Sequence, residues 1–172
     1  MRIDDPPLVR HAREVADLAA GVATLLGLDR RERDEVALAA ELHDIGKLAI
    51  PPEILAKRGP LAAAERAMLR RHTLLGEAMI GGTLALRRVA VVVRASHERW
   101  DGRGYPDGLR GEAIPLGARI VAVCDAFSAM LQTRPYGDTL DELRACAGTQ
   151  FDPAVVQTFR AVVAESALRS AA

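Results

Sequence analysis

Aromatic residues are scarce in this chain: they make up 3% of its 172 residues, although 49% of the residues are hydrophobic. Sheets fill their pleated faces largely with aromatic and β-branched side chains, so the shortage argues against a sandwich or barrel. The Ala-, Leu- and Val-rich remainder suits packed helices. Cysteine is nearly absent too. Cys124 and Cys146 alone exclude a disulfide framework, and Cys124, inside the apolar run Val121-Ala122-Val123, reads as a free buried thiol. Neither charge sign is in excess, with 23 Lys and Arg against 23 Asp and Glu. That balance removes the broad positive field a nucleic-acid polymer would need and the single-sign surface a membrane would attract. An anionic ligand must be held by local charges. No stretch approaches the roughly 18 uncharged residues of a membrane span, and Met1-Arg2-Ile3-Asp4-Asp5-Pro6-Pro7 has no apolar leader core. The expectation is a soluble, cytoplasmic protein. A domain of about 150 residues already buries roughly two-thirds of its unfolded surface, so one domain over 1–172, with its core about 8–169 and no sensor or receiver domain, is the natural reading.

What is present is helical periodicity. His11, Val15, Leu18, Ala19, Val22 and Leu26 recur every three to four residues before Gly27. Asp29 with Glu32 predicts a capping box for a second helix that runs through Val36 and Ala40 into His43-Asp44 and ends at Gly46. A short turn around Ile54 and Leu55 is bracketed by prolines, and 62–80 reads as one longer helix carrying His72. Thr83 is placed to cap a helix delivering Ser96 and His97, Pro115 to open a helix over 116–131, Thr139 with Glu142 to form another capping box, and Asp152-Pro153 to open the last helix. Between them, 99–112 holds four glycines and Pro106, too many breakers for a regular element. The class is all-α, about seven helices with one glycine-rich loop.

Asp125 sits in Ile120-Val121-Ala122-Val123-Cys124-Asp125-Ala126-Phe127, apolar on nearly every side, where an unpaired carboxylate would be very costly. A buried ion pair and a metal site both answer that cost. His43-Asp44 offers adjacent nitrogen and oxygen donors of the kind divalent transition metals accept. A single helical histidine is ordinarily a core or surface residue, but all four histidines fall on inward or terminal positions of predicted helices, which favours one shared site. Lys47 on its own reads as a solvated surface lysine, Glu98 as a partner of a histidine or of Arg99, and Trp100 and Tyr105 as loop anchors or base-stacking rings.

His43-Asp44-Ile45-Gly46-Lys47, then His72-Thr73-Leu74-Leu75-Gly76, then His97-Glu98-Arg99-Trp100-Asp101-Gly102-Arg103-Gly104-Tyr105-Pro106-Asp107-Gly108-Leu109 resemble the HD-GYP family of phosphodiesterases. The likeness continues through Ile114-Pro115, Ala118-Arg119-Ile120, Asp125, Thr133-Arg134-Pro135-Tyr136 and Ala147-Gly148-Thr149-Gln150-Phe151-Asp152-Pro153, in the family's order over nearly the whole chain. The resemblance implies a compact helical HD-type hydrolase that cleaves cyclic di-GMP to the linear dinucleotide or GMP, using one or two divalent transition metal ions, iron or manganese above others. By position, His11, His43, Asp44 and Asp125 match the primary metal ligands, and Asp44 bridges to a second metal whose remaining ligands match His72, position 96 and His97. Asp44 and Lys47 are the implied catalytic residues. Lys47 and Arg134 match residues on the substrate phosphate, and Tyr105 belongs to the loop that shapes the mouth. That loop is also the implied surface for signalling-protein partners. Two divalent ions about 3.5 to 4 Å apart suit in-line displacement at phosphorus, with Lys47 and Arg134 stabilising charge on nonbridging oxygens.

Four positions depart from the family pattern. Ser96 stands where the first of two successive histidines is usual, and Ser128 where Asp-x-x-Asp has its second acid. Gly137 replaces a lysine that often follows Arg-Pro-Tyr, and Pro7 stands where members with a third metal supply a glutamate. These departures imply a weakened second metal and no third. They also raise a rival reading, a degenerate module that binds nucleotide or protein without turnover, and a further one, an HD hydrolase with another nucleotide substrate.

Overall fold

A computed structural model describes residues 6–170; the segment Met1 to Asp5, read above for a leader, lies outside them. Nine α-helices are found among the described residues: α1 (Pro6–Leu25), α2 (Arg30–Leu42), α3 (Pro52–Leu55), α4 (Ala63–Arg70), α5 (His72–Ile80), α6 (Arg87–Ala95), α7 (Leu116–Leu131), α8 (Tyr136–Ala145) and α9 (Pro153–Ser170). They contain no strand, only an isolated bridge between Ala147 and Phe151. None of these helices is long and apolar enough to cross a membrane.

The helix starts show where local chemistry ruled and where it did not. Asp29 accepts the Glu32 amide at 2.8 Å while the Glu32 carboxylate accepts the Asp29 amide at 2.9 Å, the expected capping box of α2. Asp152 accepts the Ala154 amide at 2.8 Å and so caps α9. The Thr139 capping box does not form. Pro135 starts α8 earlier, and Thr139, now inside the helix, donates its hydroxyl back to the Pro135 carbonyl at 3.0 Å. Thr83 precedes a short 3-10 turn, Leu84–Leu86, so α6 begins at Arg87.

The predicted helix over 62–80 is broken into α4 and α5 at Arg71, which with the ordered turn α3 raises the count above seven. Two side chains account for the break. His72 Nδ1 donates to the Leu69 carbonyl at 2.8 Å and Thr73 Oγ1 to the Arg70 carbonyl at 3.3 Å, capturing acceptors that a continuous helix would use.

α1 packs on α2, α7 and α9, and the main core lies between them. Val15, Ala19 and Val22 of α1 meet Ile120, Val121 and Phe127 of α7 and Val155 and Phe159 of α9, all at most 3% exposed. Phe127 and Phe159 meet edge to face at 4.8 Å. Cys124 is buried in this core, which pushes its thiol pKa up. A smaller apolar cluster, Ala39, Val89 and Val93, ties α2 to α6. Truncating Phe159 to Ala would cost about 3–5 kcal/mol.

Gly46 decides how close the turn after α2 can come to α5. A Cβ there would lie 1.9 Å from the His72 carbonyl oxygen and 2.5 Å from the Gly76 amide. Only a hydrogen fits, and the contact sets Asp44 against His72.

Candidate metal centre

Each histidine reaches the centre from the end or inner face of a helix that the core holds in place. His11 comes from α1, His43 and Asp44 from the end of α2, His72 from the first residue of α5, His97 from just past α6, and Asp125 from the middle of α7. His43 Nδ1 donates to the Ala40 carbonyl at 2.7 Å and His72 Nδ1 to the Leu69 carbonyl at 2.8 Å, each three residues back. In their neutral form both rings thereby present Nε2 as the lone-pair nitrogen, the arrangement a metal-ligating imidazole uses.

The donors fall into two groups of three. The donor atoms of His11, His43 and Asp125 lie within 4.8 Å of one another, as do those of Asp44, His72 and His97. His11 Nε2 is 3.2 Å from Asp125 Oδ1, and His43 Nε2 is 3.6 Å from both Asp125 Oδ1 and Asp44 Oδ2. The other Asp44 oxygen, Oδ1, faces His72 Nε2 at 3.5 Å. Asp44 therefore joins the two triads, one oxygen toward each. The nitrogen–oxygen separations of 3.5–3.6 Å are too long for hydrogen bonds, and His43 Nε2, His72 Nε2, His97 Nε2 and Asp44 Oδ1 are buried with no hydrogen-bond partner. Buried polar atoms without partners are costly, and convergent imidazole and carboxylate donors are what a divalent transition metal takes. The residues present fit such an ion in each triad.

Charge divides the triads. Burial works against a charged His43 imidazole, but the Asp125 and Asp44 carboxylates beside it outweigh burial and push its pKa up to about 9. Burial likewise opposes the Asp125 and Asp44 carboxylates, yet His11 and His43 hold Asp125 well below the usual carboxylate range, and His43 and Lys47 hold Asp44 below it. On the two histidines of the second triad burial wins: it lowers His72 and takes His97 down to about 4.

The glycine-rich loop folds back over the second triad. Gly104 crosses the segment just past α6 so tightly that a Cβ would lie 2.4 Å from the Arg99 amide. Tyr105 follows, its amide donating to the His97 carbonyl at 3.2 Å and its ring stacked on His97 at 5.2 Å, with an edge contact to His72 at 6.3 Å. Glu98 partners neither a histidine nor Arg99. Its buried carboxylate accepts the Asp107 and Gly108 amides at 2.7 and 3.0 Å and so clamps the loop. Arg99 pairs instead with Asp101, and Trp100 lies under the Arg119 guanidinium as an anchor.

The remaining sequence candidates differ in placement. Lys47 Nζ donates to Asp44 Oδ2 at 2.5 Å, at the junction of the triads. Arg134 pairs with Glu142 of α8 at 3.1 Å, both half-exposed. Ser96 is buried and donates its hydroxyl to the Val93 carbonyl at 2.9 Å. Ser128, on α7, lies 2.9 Å from His11 Nδ1 and fixes that ring, a role the motif comparison did not suggest. Sequence reasoning also missed Arg70, whose guanidinium carbon sits 5.0 Å from the centre of the Tyr105 ring.

The HD-domain family matches residues 2–155, and the chain belongs to that family. Within it, the likeness to HD-GYP proteins read from the motifs holds. The chain is 44% identical over 150 residues to the cyclic di-GMP phosphodiesterase response regulator RpfG of Xanthomonas campestris, covering 83% of this chain and 40% of that one. It is 39% identical over 155 residues to the 3'3'-cGAMP-specific phosphodiesterase 2 of Vibrio cholerae, covering 86% and 30%. The chain thus spans well under half the length of these curated relatives. Bd1817, an HDG"Y"P protein of Bdellovibrio bacteriovorus, has the same fold, with a TM-score of 0.75 at 19% identity over 95% of this chain and 54% of that one.

Proposed function

We propose that the chain is a metal-dependent phosphodiesterase that hydrolyses cyclic di-GMP to the linear dinucleotide or GMP. The observation carrying this reading is the pair of donor triads joined through Asp44, whose two oxygens face His43 and His72 at 3.6 and 3.5 Å. His11, His43 and Asp125 would hold one ion, His72 and His97 a second, and Asp44 would serve both. Such ions, when bound, acidify water and neutralise charge on phosphorus oxygens; imidazole with carboxylate accommodates iron or manganese, and we favour these two. Lys47 holds Asp44 between the triads and places an ammonium where a nonbridging phosphate oxygen needs one. Tyr105 covers His97 and closes the mouth from the loop side. Arg134 can reach a substrate only by leaving Glu142, so its contribution is the most conditional.

The two free thiols suit a reducing compartment, and we assign the activity to the cytoplasm. The exposed loop residues Arg103, Asp107 and Arg110 are the surface we assign to signalling-protein partners. One observation favours a second reading, binding without turnover: the Ser96 hydroxyl is committed to the Val93 carbonyl and adds no donor to the second triad. The test is metal analysis of anaerobically purified protein with cyclic di-GMP hydrolysis followed in added iron or manganese. Turnover with metal bound supports the enzyme. Nucleotide binding without turnover selects the second reading, and turnover of 3'3'-cGAMP alone would move the substrate.

A further inference from the structure

Two cavities open on the donor cluster, and they differ in character. One, about 310 Å³, has mainly apolar walls, including Val9, Leu42, Ile45 and Leu48. The other, about 190 Å³, lies on the loop side and is lined by Arg70, His97, Arg99, Arg103, Tyr105 and Asp125 among others. It has two carboxylates: Asp125 faces His11 and His43, and Glu98 accepts the Asp107 and Gly108 amides. Arg99 is held by Asp101 at 2.7 Å. Arg103 gives that carboxylate only its backbone amide, and its exposed side chain makes no ion pair among the described residues. What distinguishes Arg70 is its seat. Its guanidinium pairs with no carboxylate among the described residues and instead sits 5.0 Å from the centre of the Tyr105 ring, the ring that stacks on His97 of the second triad.

An arginine seated on an aromatic ring is pre-oriented, so less freedom is lost when its fork of donors takes an oxyanion. Of the two residues the resemblance assigned to phosphate, Lys47 lies beside Asp44 at the donor cluster, whereas Arg134 lines neither cavity and pairs with Glu142. A cyclic dinucleotide carries two phosphates, and only one can lie at the donor cluster with Lys47. The other needs a cation at the rim.

We propose that Arg70 is a substrate-binding residue that donates to the nonbridging oxygens of a cyclic dinucleotide's second phosphate, the one not held at the donor cluster. The proposal rests on the function proposed above and names the residue that reads the two-phosphate ring. It separates substrates by charge spacing: a diester with a single phosphate gains nothing from Arg70.

The test compares steady-state hydrolysis of cyclic di-GMP and of bis(p-nitrophenyl) phosphate by the metal-loaded wild type, Arg70→Gln and Arg70→Lys. Loss of one charge-assisted contact should raise KM for cyclic di-GMP about 10- to 100-fold in Arg70→Gln. Its kcat should stay nearly unchanged, its action on the single-phosphate diester intact, and Arg70→Lys should recover part of the loss. An unchanged KM overturns the proposal. So does an equal loss on both diesters, which would mean that Arg70 only seats Tyr105. If the wild type binds cyclic di-GMP without cleaving it, the same contrast is read in equilibrium affinity. If it neither binds nor cleaves cyclic di-GMP, the functional reading fails and this proposal with it, whereas failure of the Arg70 contrast on an active enzyme leaves that reading standing.

Discussion

The two donor triads are built from different parts of the molecule, and the difference shows in their chemistry. His11, His43 and Asp125 stand on α1, the end of α2 and α7, the helices around the main core, and Ser128 fixes the His11 ring from α7. Asp44, His72 and His97 stand on the turn after α2, the broken start of α5 and the segment past α6, under a loop clamped by Glu98. In the first triad carboxylate and imidazole already offset one another, whereas burial keeps His72 and His97 neutral. A site on core helices is held by packing; a site on turns depends on a few backbone contacts. The first triad should therefore keep its geometry under local damage that empties the second.

The strongest way to break the comparison is to remove the residue both triads share. Asp44→Ala takes an oxygen from each, and if each bound ion supplies several kcal/mol of transition-state stabilisation, hydrolysis should fall by about 10³-fold or more. Metal content should drop in both triads while the helical circular-dichroism spectrum persists. Loss of only one metal would mean that Asp44 does not bridge.

Gly46→Ala comes next. Its Cβ would lie 1.9 Å from the His72 carbonyl oxygen, and backbone cannot yield as a flexible side chain can. Overpacking of this kind costs about 1–3 kcal/mol or more, readable as a lower melting temperature. The shift falls on α5, so metal in the second triad should be lost before metal in the first. Ser128→Ala acts on the opposite side. It removes the hydroxyl 2.9 Å from His11 Nδ1, and losing such an outer partner typically weakens metal binding about 10- to 100-fold. The second triad should be untouched, as separate titrations with manganese would show. Equal weakening of both triads would erase the distinction.

The same division explains what the sequence revealed. The core helices carry their signals locally: the Asp29–Glu32 box and the apolar spacing from Val15 to Val22 predict α2 and the buried face of α1, and both are found. The second triad depends on contacts distant in sequence. Nothing in the periodicity of 62–80 marks the break at Arg71, because it comes from side chains of His72 and Thr73 that bond backward to the Leu69 and Arg70 carbonyls. Thr139 had the right partner spacing for a capping box, but Pro135 had already begun the helix. Ser128 read as a lost acid and proves to contact His11, and Arg70 carried no motif because its position depends on a ring 35 residues along the chain. The six donor residues named from the motifs do converge, whereas Arg134 lies in an exposed pair with Glu142.

The smallest expected effect is the one that sharpens the contrast most. Ser96 immediately precedes His97, is 3% exposed, and donates its hydroxyl to the Val93 carbonyl, so it adds no donor to the second triad. It also lines the same cavity of about 190 Å³ as His97 and Tyr105. Ser96→His would give up a hydroxyl bond worth about 1 kcal/mol and add an imidazole nitrogen beside a triad whose histidines burial already keeps neutral. Retention of a second metal equivalent through dialysis should rise, with a matching gain in hydrolysis, while the first triad's affinity stays constant. A metal count that does not change would mean that position 96 points away from the centre. A weaker second triad would then owe that to its dependence on turns and a loop, and not to a missing ligand.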